Sequence, residues 1–454
     1  SSGDASQDVF IGDVLYVLGN FDGALVSYKQ AASSDPRNVL AIIGQALVFA
    51  AKGELPTAEE LLTKAQDIDP ESLSVWQARG ALHVSRREFA EAARAFSRAL
   101  EFEIPQTPLA ESFATRVNLV SSLIDARQVD NASQSLEELR ARFPDNPVAT
   151  FLGGRLAFIR GDYDAAQLQL QKYVASNPGD ARGLAILGAV NFSQKNLRQA
   201  EANLLSAVRA NAGGQAARRL LAETRLRLDD PSGALDILQS ASAAAQSDSA
   251  YLSMLGRAQV AAGEEEAAIE SFRTSLERNP DDDAVRLSLA STYLQANMTD
   301  SAIDLLDAMP ARPGSALRRH TLLVAALLRD GDRERAIAES QRMIGEAPEN
   351  ASVLVVAGAL WQTIGDLEKA KAQFENAVEL EPGNLAAQFS LSRIALAEGR
   401  TDLAVSTLEV LLDSNPAYVP ALVSLGMLLQ DSDRLESLRP FAENAVAVAP
   451  DVVA

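Results

Sequence analysis

The chain has 454 residues, 47% of them hydrophobic and only 5% aromatic, with no cysteine. Against 61 Asp and Glu stand 41 Lys and Arg, and the net charge of −20 repels phosphate backbones and so excludes general nucleic-acid binding. The lack of cysteine excludes disulfides, thiolate metal sites and cysteine nucleophiles, and no apolar run reaches the roughly 18 residues of a membrane helix.

The sequence opens Ser1-Ser-Gly-Asp without an initiator Met, and reads as an excised or processed fragment whose targeting segment has been removed. Alanine then recurs every 34 residues, at Ala24, Ala58 and Ala92. After one step of 40 it resumes at Ala132 and continues through Ala166, Ala200, Ala234, Ala268, Ala302, Ala336, Ala370 and Ala404, with Leu438 in the next place. Self-similarity at this period marks a helix-turn-helix solenoid, in which stacked hairpins share a continuous core. Units begin at residues 5, 39 and 73, then at 113, 147, 181, 215, 249, 283, 317, 351, 385 and 419. The expected organisation is therefore repeats 1–3 over 5–106, an inserted loop or hinge at 107–112, and repeats 4–13 over 113–452.

Within a unit the eighth residue is usually small, as at Gly12, Gly80, Gly154, Gly188, Gly256 and Gly358. The 24th is large, as at Tyr28, Phe96, Leu170, Leu204, Phe272 and Phe374, and is expected to fill the space that the small residues open. Between the helices lie turns such as Gly161-Asp-Tyr-Asp and Gly331-Asp-Arg-Glu, where glycine ends one helix and carboxylates favour the start of the next. Most units end in proline at position 32, for example Pro36, Pro144, Pro280 and Pro450, which stops the second helix. Units 215–248 and 283–316 lack that proline and are expected to mark bends. The end at Ala454 shows no polar capping helix of the kind a terminal repeat needs, and is expected to be truncated or docked on another body.

Small-8, Gly-15, aromatic-17, Ala-20, aromatic-24 and Pro-32, with Trp76 at the fourth position of its unit, resemble the tetratricopeptide repeat. The resemblance covers nearly the whole chain. It implies an all-α, right-handed superhelical solenoid of about thirteen repeats. The stretches Phe143-Pro-Asp-Asn-Pro-Val-Ala-Thr-Phe-Leu-Gly-Gly, Leu184-Ala-Ile-Leu-Gly-Ala-Val-Asn-Phe and Gln215-Ala-Ala-Arg-Arg-Leu-Leu-Ala further resemble the tetratricopeptide repeat proteins of PEP-CTERM systems in Gram-negative bacteria. That narrower likeness implies a link to exopolysaccharide and exosortase systems and a periplasmic or outer-membrane-associated location, with a cytoplasmic location as the alternative.

Neither histidine, His83 nor His320, sits in a metal-ligand spacing, and no nucleotide-binding glycine motif or nucleophile elbow occurs. No catalytic residue, metal site or cofactor is expected. Acidic runs such as Asp281-Asp282-Asp283 and Glu264-Glu265-Glu266 fall at turns and are read as helix-start residues. In the resembled fold the first helices line a concave groove, and positions 5 and 9 lie one turn apart on one face. They give Phe151 with Arg155, Arg219 with Glu223, Ser253 with Arg257, and Phe389 with Arg393; positions 12 and 13 add Phe158, Phe192, Arg227 and Gln362. Solvation and intramolecular pairing for the arginines, and core packing for the phenylalanines, are the competing readings. Trp76 and Trp361 are expected in the core.

The function expected is a non-catalytic scaffold. It would bind a peptide or protein partner in the groove, with carboxylates meeting the arginine forks, in an envelope export system. The alternatives are a guide that contacts a carbohydrate polymer and a cytosolic adaptor. Against a chaperone-tail clamp, positions 5 and 9 of the first three units carry Val9, Asp13, Ile43, Leu47, Gln77 and Ala81 rather than the Lys and Asn such a clamp uses. No direct membrane insertion is expected, and the oligomeric state is left open.

Overall fold

The computed structural model describes residues 2–210, 214–241, 248–310, 312–430 and 435–449; Pro450 and Ala454 lie outside them. Among these residues there are 26 α-helices, one 3-10 helix at Leu435–Leu438 and no strand. The helices form thirteen consecutive pairs, from Ser2–Val17 with Phe21–Ser34 to Val419–Gln430 with Arg439–Val448. The chain divides into two compact units, Ser1–Ile237 and Leu238–Ala454. Within each unit the two helices of a pair pack on each other and on the next pair, and successive first helices also touch. First helices therefore form an inner layer and second helices an outer one.

The alanine ladder is the seam between the two helices of each pair. Each ladder alanine, from Ala24 to Ala404 at the period, is at most 1% exposed. Across the seam the 24th residue lies over the eighth. A Cβ added at Gly80 would stand 2.6 Å from the Phe96 ring, and one at Gly256 would stand 2.7 Å from Phe272. The expectation that large-24 fills the space left by small-8 holds at Gly12, Gly80, Gly154, Gly188, Gly256 and Gly358.

Helix ends are set locally. The 15th residue of twelve units is left-handed: glycine at positions such as Gly161 and Gly331, but Arg87, Arg127, Lys195, Asp229 and Asn297 in the other five. One residue on, Asp162, Asp332 and Asp366 cap the second helix through their side chains. The last residue of a unit caps the first helix of the following one. Asn38, Asn146, Asp180, Asp248, Asp282, Asn350 and Asn384 all accept a backbone N–H from that helix.

The six inserted residues are only partly a loop, which corrects the expectation for 107–112. The helix Leu109–Asp125 runs for 17 residues and begins inside the insertion, with Pro108 at its N-cap. Proline fixes φ and prepares helix entry, so residues 109–112 lengthen the first helix of the fourth repeat. The two units expected to mark bends, 215–248 and 283–316, have short second helices, Pro231–Gln239 and Thr299–Asp307, of nine residues each. In the last pair Leu438, at the ladder position, reaches to 3.3 Å from where a Cβ on Gly426 would stand. It takes the role that the 24th residue has elsewhere.

Neither tryptophan is fully in the core. Trp76 is half-buried, its indole N–H donating to the Pro70 carbonyl at 2.9 Å, and Trp361 is half-buried under the Lys369 ammonium at 4.3 Å. Both polar contacts need an accessible ring edge or face.

Candidate functional site

In the first unit, three successive first helices, Leu109–Asp125, Pro147–Arg160 and Ala181–Ser193, enclose a cleft of about 570 Å³. Its apolar lining is Phe113 and Val117 from the first helix, Phe151 and Leu152 from the second, and Ile186 from the third; Tyr173 comes from the outer layer. Exposed Ala114 and Asn118 and half-buried Ser121 edge it on one side, and Arg155 and Arg182 on the other. Apart from Tyr173, these are positions 1, 2, 5, 6 and 9 of adjacent units, which the 34-residue register stacks side by side.

Phe151 is the centre of the aromatic contacts. Its ring lies 5.0 Å from that of Tyr173, and the Arg155 and Arg182 guanidinium groups each lie 5.9 Å from its centroid. Neither arginine presents an open fork. Arg155 Nη2 donates to Asp125 Oδ1 at 2.6 Å, and Arg182 holds both carboxylate oxygens of Asp180, at 3.1 and 2.9 Å. The Tyr173 hydroxyl donates to the same Asp180 at 2.5 Å. The Arg182 hydrogen bonds hold the Asp180 carboxyl far below the usual range, with the Tyr173 hydroxyl adding to them against the effect of burial. Burial pushes the Tyr173 hydroxyl up, and the Asp180 charge pushes it further. The cleft thus has an apolar floor with its charges paired off at the rim.

The other candidates spread over both units. In the first unit Arg227 is exposed, stacks over Phe192 at 4.3 Å and donates to Glu223 at 3.1 Å. Arg219 is half-buried on the same helix. In the second unit Ser253 is half-buried and Arg257 is exposed beside Met254. Phe389 packs edge-on against Tyr418 at 5.8 Å, and Arg393 is exposed. Phe158 is half-buried against Tyr163. Phe151 and Arg155 are therefore the two named residues that share the cleft. Reading only positions 5 and 9 overlooked Phe113, Ala114, Arg182 and Ile186, which stand at positions 1, 2, 2 and 6. Val117, at position 5, was passed over because its partner at position 9 is Ser121 rather than arginine.

The aspartate run at 281–283 has structural work. Asp282 caps the helix Asp283–Gln295, and Asp283 accepts from Arg286, Arg312 and the Ser315 hydroxyl. Among the described residues no group of three or more His, Asp and Glu is arranged to hold a metal ion, and no helix is long and apolar enough to cross a membrane.

Sequence profiles of the tetratricopeptide repeat match residues 11–72 and 117–181, and again 259–326 and 364–426. Mouse Superkiller complex protein 3 is 22% identical over 67% of the chain, which spans 20% of that protein. Tetratricopeptide repeat protein 37 of Xenopus laevis is 20% identical over 95% of the chain, which spans 29% of it. Cellulose synthase operon protein C of Xanthomonas axonopodis pv. citri is 24% identical over 64% of the chain, against 18% of its own length. The chain thus spans less than a third of these curated relatives. Among solved structures, yeast Tom70 aligns over 98% of this chain and 96% of its own, with 15% identity and a TM-score of 0.43.

Proposed function

The chain belongs to the tetratricopeptide repeat proteins, and from that premise we propose that it is a non-catalytic scaffold that seats an extended segment of a partner protein in the cleft of repeats 4–6. Proteins of this family generally act as protein-interaction scaffolds. The observation that carries the reading is the convergence of Phe113, Val117, Phe151 and Ile186 on one apolar cleft whose size suits several side chains. Each apolar side chain fully buried there contributes about 1.5–3 kcal/mol, and a preformed cleft lowers the ordering cost. A partner carboxylate would have to displace Asp125 or Asp180 from its arginine, so apolar anchors rather than acidic groups define the ligand.

Peptide selection on the intact protein tests this. Selected peptides are expected to carry spaced large apolar residues, and to lose at least about tenfold in affinity to Ala114→Arg or Asn118→Arg, which put charge into the cleft from exposed positions. Affinity is expected to change little with salt, because no unpaired rim charge is recruited. Selection that yields no such peptides, or peptides indifferent to both variants, refutes the reading.

We further propose that the scaffold serves a bacterial envelope system for exopolysaccharide or protein export, at a periplasmic or outer-membrane-associated location. The PEP-CTERM-like stretches support this, as does the similarity to a protein named for a cellulose synthase operon. Fractionation of the source cells with an antibody against the chain checks it: recovery in the envelope fractions is expected, and recovery in the cytosol refutes it.

A further inference from the structure

The repeat 317–350 is built differently from its neighbours, in a way the cleft does not use. Its eighth and 24th residues are Val324 and Ser340, both buried, which reverses the small-over-large pairing of the seam. Its fourth residue is His320, 2% exposed, and around it Arg319 and Glu339 are 7% and 4% exposed. Glu339, on the second helix Arg333–Glu346, is the hub. Its Oε1 accepts from Arg319 Nη1 at 3.2 Å and pairs with His320 Nδ1 at 2.6 Å, while its Oε2 accepts from Arg342 Nη1 at 2.8 Å. His320 Nε2 lies 3.1 Å from Oε2 of Glu346, the last residue of that helix. Arg319 Nε donates to the Leu306 carbonyl at 2.8 Å, in the last turn of the preceding repeat's second helix.

Carboxylates only accept hydrogen bonds, and only the imidazolium has an N–H on both ring nitrogens. A ring set between two carboxylates is satisfied in that form alone. We infer that this cluster makes the repeat 317–350 a pH-sensitive joint, in which both its helices and the end of the preceding repeat are tied while His320 holds its proton and open locally when the proton leaves.

The charges around the ring support this. The hydrogen bond to Glu339 raises the His320 pKa; burial opposes it, and Glu346 adds to it. Burial pushes the Glu339 carboxyl up, but His320, Arg342 and Arg319 outweigh that and hold it below the usual value. In the preceding repeat Asp307 is held by Arg335 and Asp283 by Arg286 and Arg312, while Asp300 and Asp304 are exposed. The following helix, Ala351–Ile364, carries no charged residue.

The sign follows from linkage. A histidine whose pKa is raised on folding contributes fully below its ordinary 6.5, and the contribution is lost as pH rises through the raised value. The lowered Glu339 contributes fully above its ordinary 4.5, and that contribution is lost as pH falls through the lowered value. The joint is therefore tightest in the mildly acidic range between them. Repeats are stabilised by their nearest neighbours, so loosening here weakens the inner layer locally without unfolding the rest.

The chain has only two histidines, so ring-labelled NMR reads His320 directly, with His83→Asn as the assignment control. Amide exchange over 316–346, corrected for intrinsic rate, is followed in parallel from about pH 5 to about pH 10. His320 is expected to titrate above 6.5. Local opening should increase by up to about tenfold per pH unit from there to its raised value, while repeat 351–384 shows no such dependence. Glu346→Gln changes a half-exposed residue at a helix end, and should bring both the titration and the loss of protection to lower pH together. Titration at or below 6.5, exchange in 316–346 that parallels repeat 351–384, or no response to Glu346→Gln would overturn the inference.

Discussion

At the scale of single residues the structure tolerates very different amounts of change. A glycine at the eighth position under an aromatic ring tolerates almost none. Phe272 is 1% exposed, and a methyl added at Gly256 would stand 2.7 Å from its ring, with no room for the ring to withdraw. Gly256→Ala is expected to destabilise the chain by about 1–3 kcal/mol, read as a lower urea midpoint with the helical circular dichroism otherwise kept. The 15th position behaves in the opposite way. Lys195 has φ 63°, a left-handed conformation that glycine adopts without strain. Lys195→Gly is expected to stabilise by about 1 kcal/mol, measured in the same melts, and a loss of stability would show that the lysine side chain matters more than its backbone.

The helix is the scale at which the sequence was most readable, and its limits have physical causes. Alanine, glycine and aromatic positions recur because the seam admits only certain volumes, so the ladder from Ala24 to Ala404 marks the helix pairs in the sequence itself. The left-handed turn was visible where glycine fills it and hidden at Arg87 or Lys195, because a backbone conformation leaves no trace when a bulky residue endures it. The insertion was legible as six extra residues but not as helix, since nothing in Leu109-Ala-Glu-Ser distinguishes a loop from an added turn except Pro108 ahead of it. The cleft was half legible. Phe151 and Arg155 came from the register, but Asp180, which neutralises Arg182, is a helix cap at position 34 outside the groove positions, and Asp125, which neutralises Arg155, stands at position 13, where nothing in the sequence marks it as an arginine's partner. Caps also act at this scale. Asn350 accepts from the N–H groups of Ser352 and Val353, so Asn350→Ala should cost about 1 kcal/mol and raise amide exchange in the first turn of Ala351–Ile364.

For the whole molecule, contacts run between neighbouring helix pairs, and each of the two compact units contains its own run of pairs. Such chains need not unfold all at once. The two tryptophans fall one in each unit, Trp76 in the first and Trp361 in the second. Trp76→Phe and Trp361→Phe each leave a single reporter. Their fluorescence transitions in urea are expected to differ from one another and from the helical signal, and three superimposed curves would show a single cooperative block instead. The caps at the 34th position bear on how the chain is best divided for any such work. Asn146, Asp180 or Asn384 belongs by numbering to one repeat but by hydrogen bonding to the next. A fragment that starts at the first helical residue, as the sequence period invites, leaves behind the acceptor that its leading N–H groups need. The natural cut for excising, grafting or shuffling modules of this protein falls between the proline at position 32 and the Asn or Asp at position 34, so that each module carries its own cap with it.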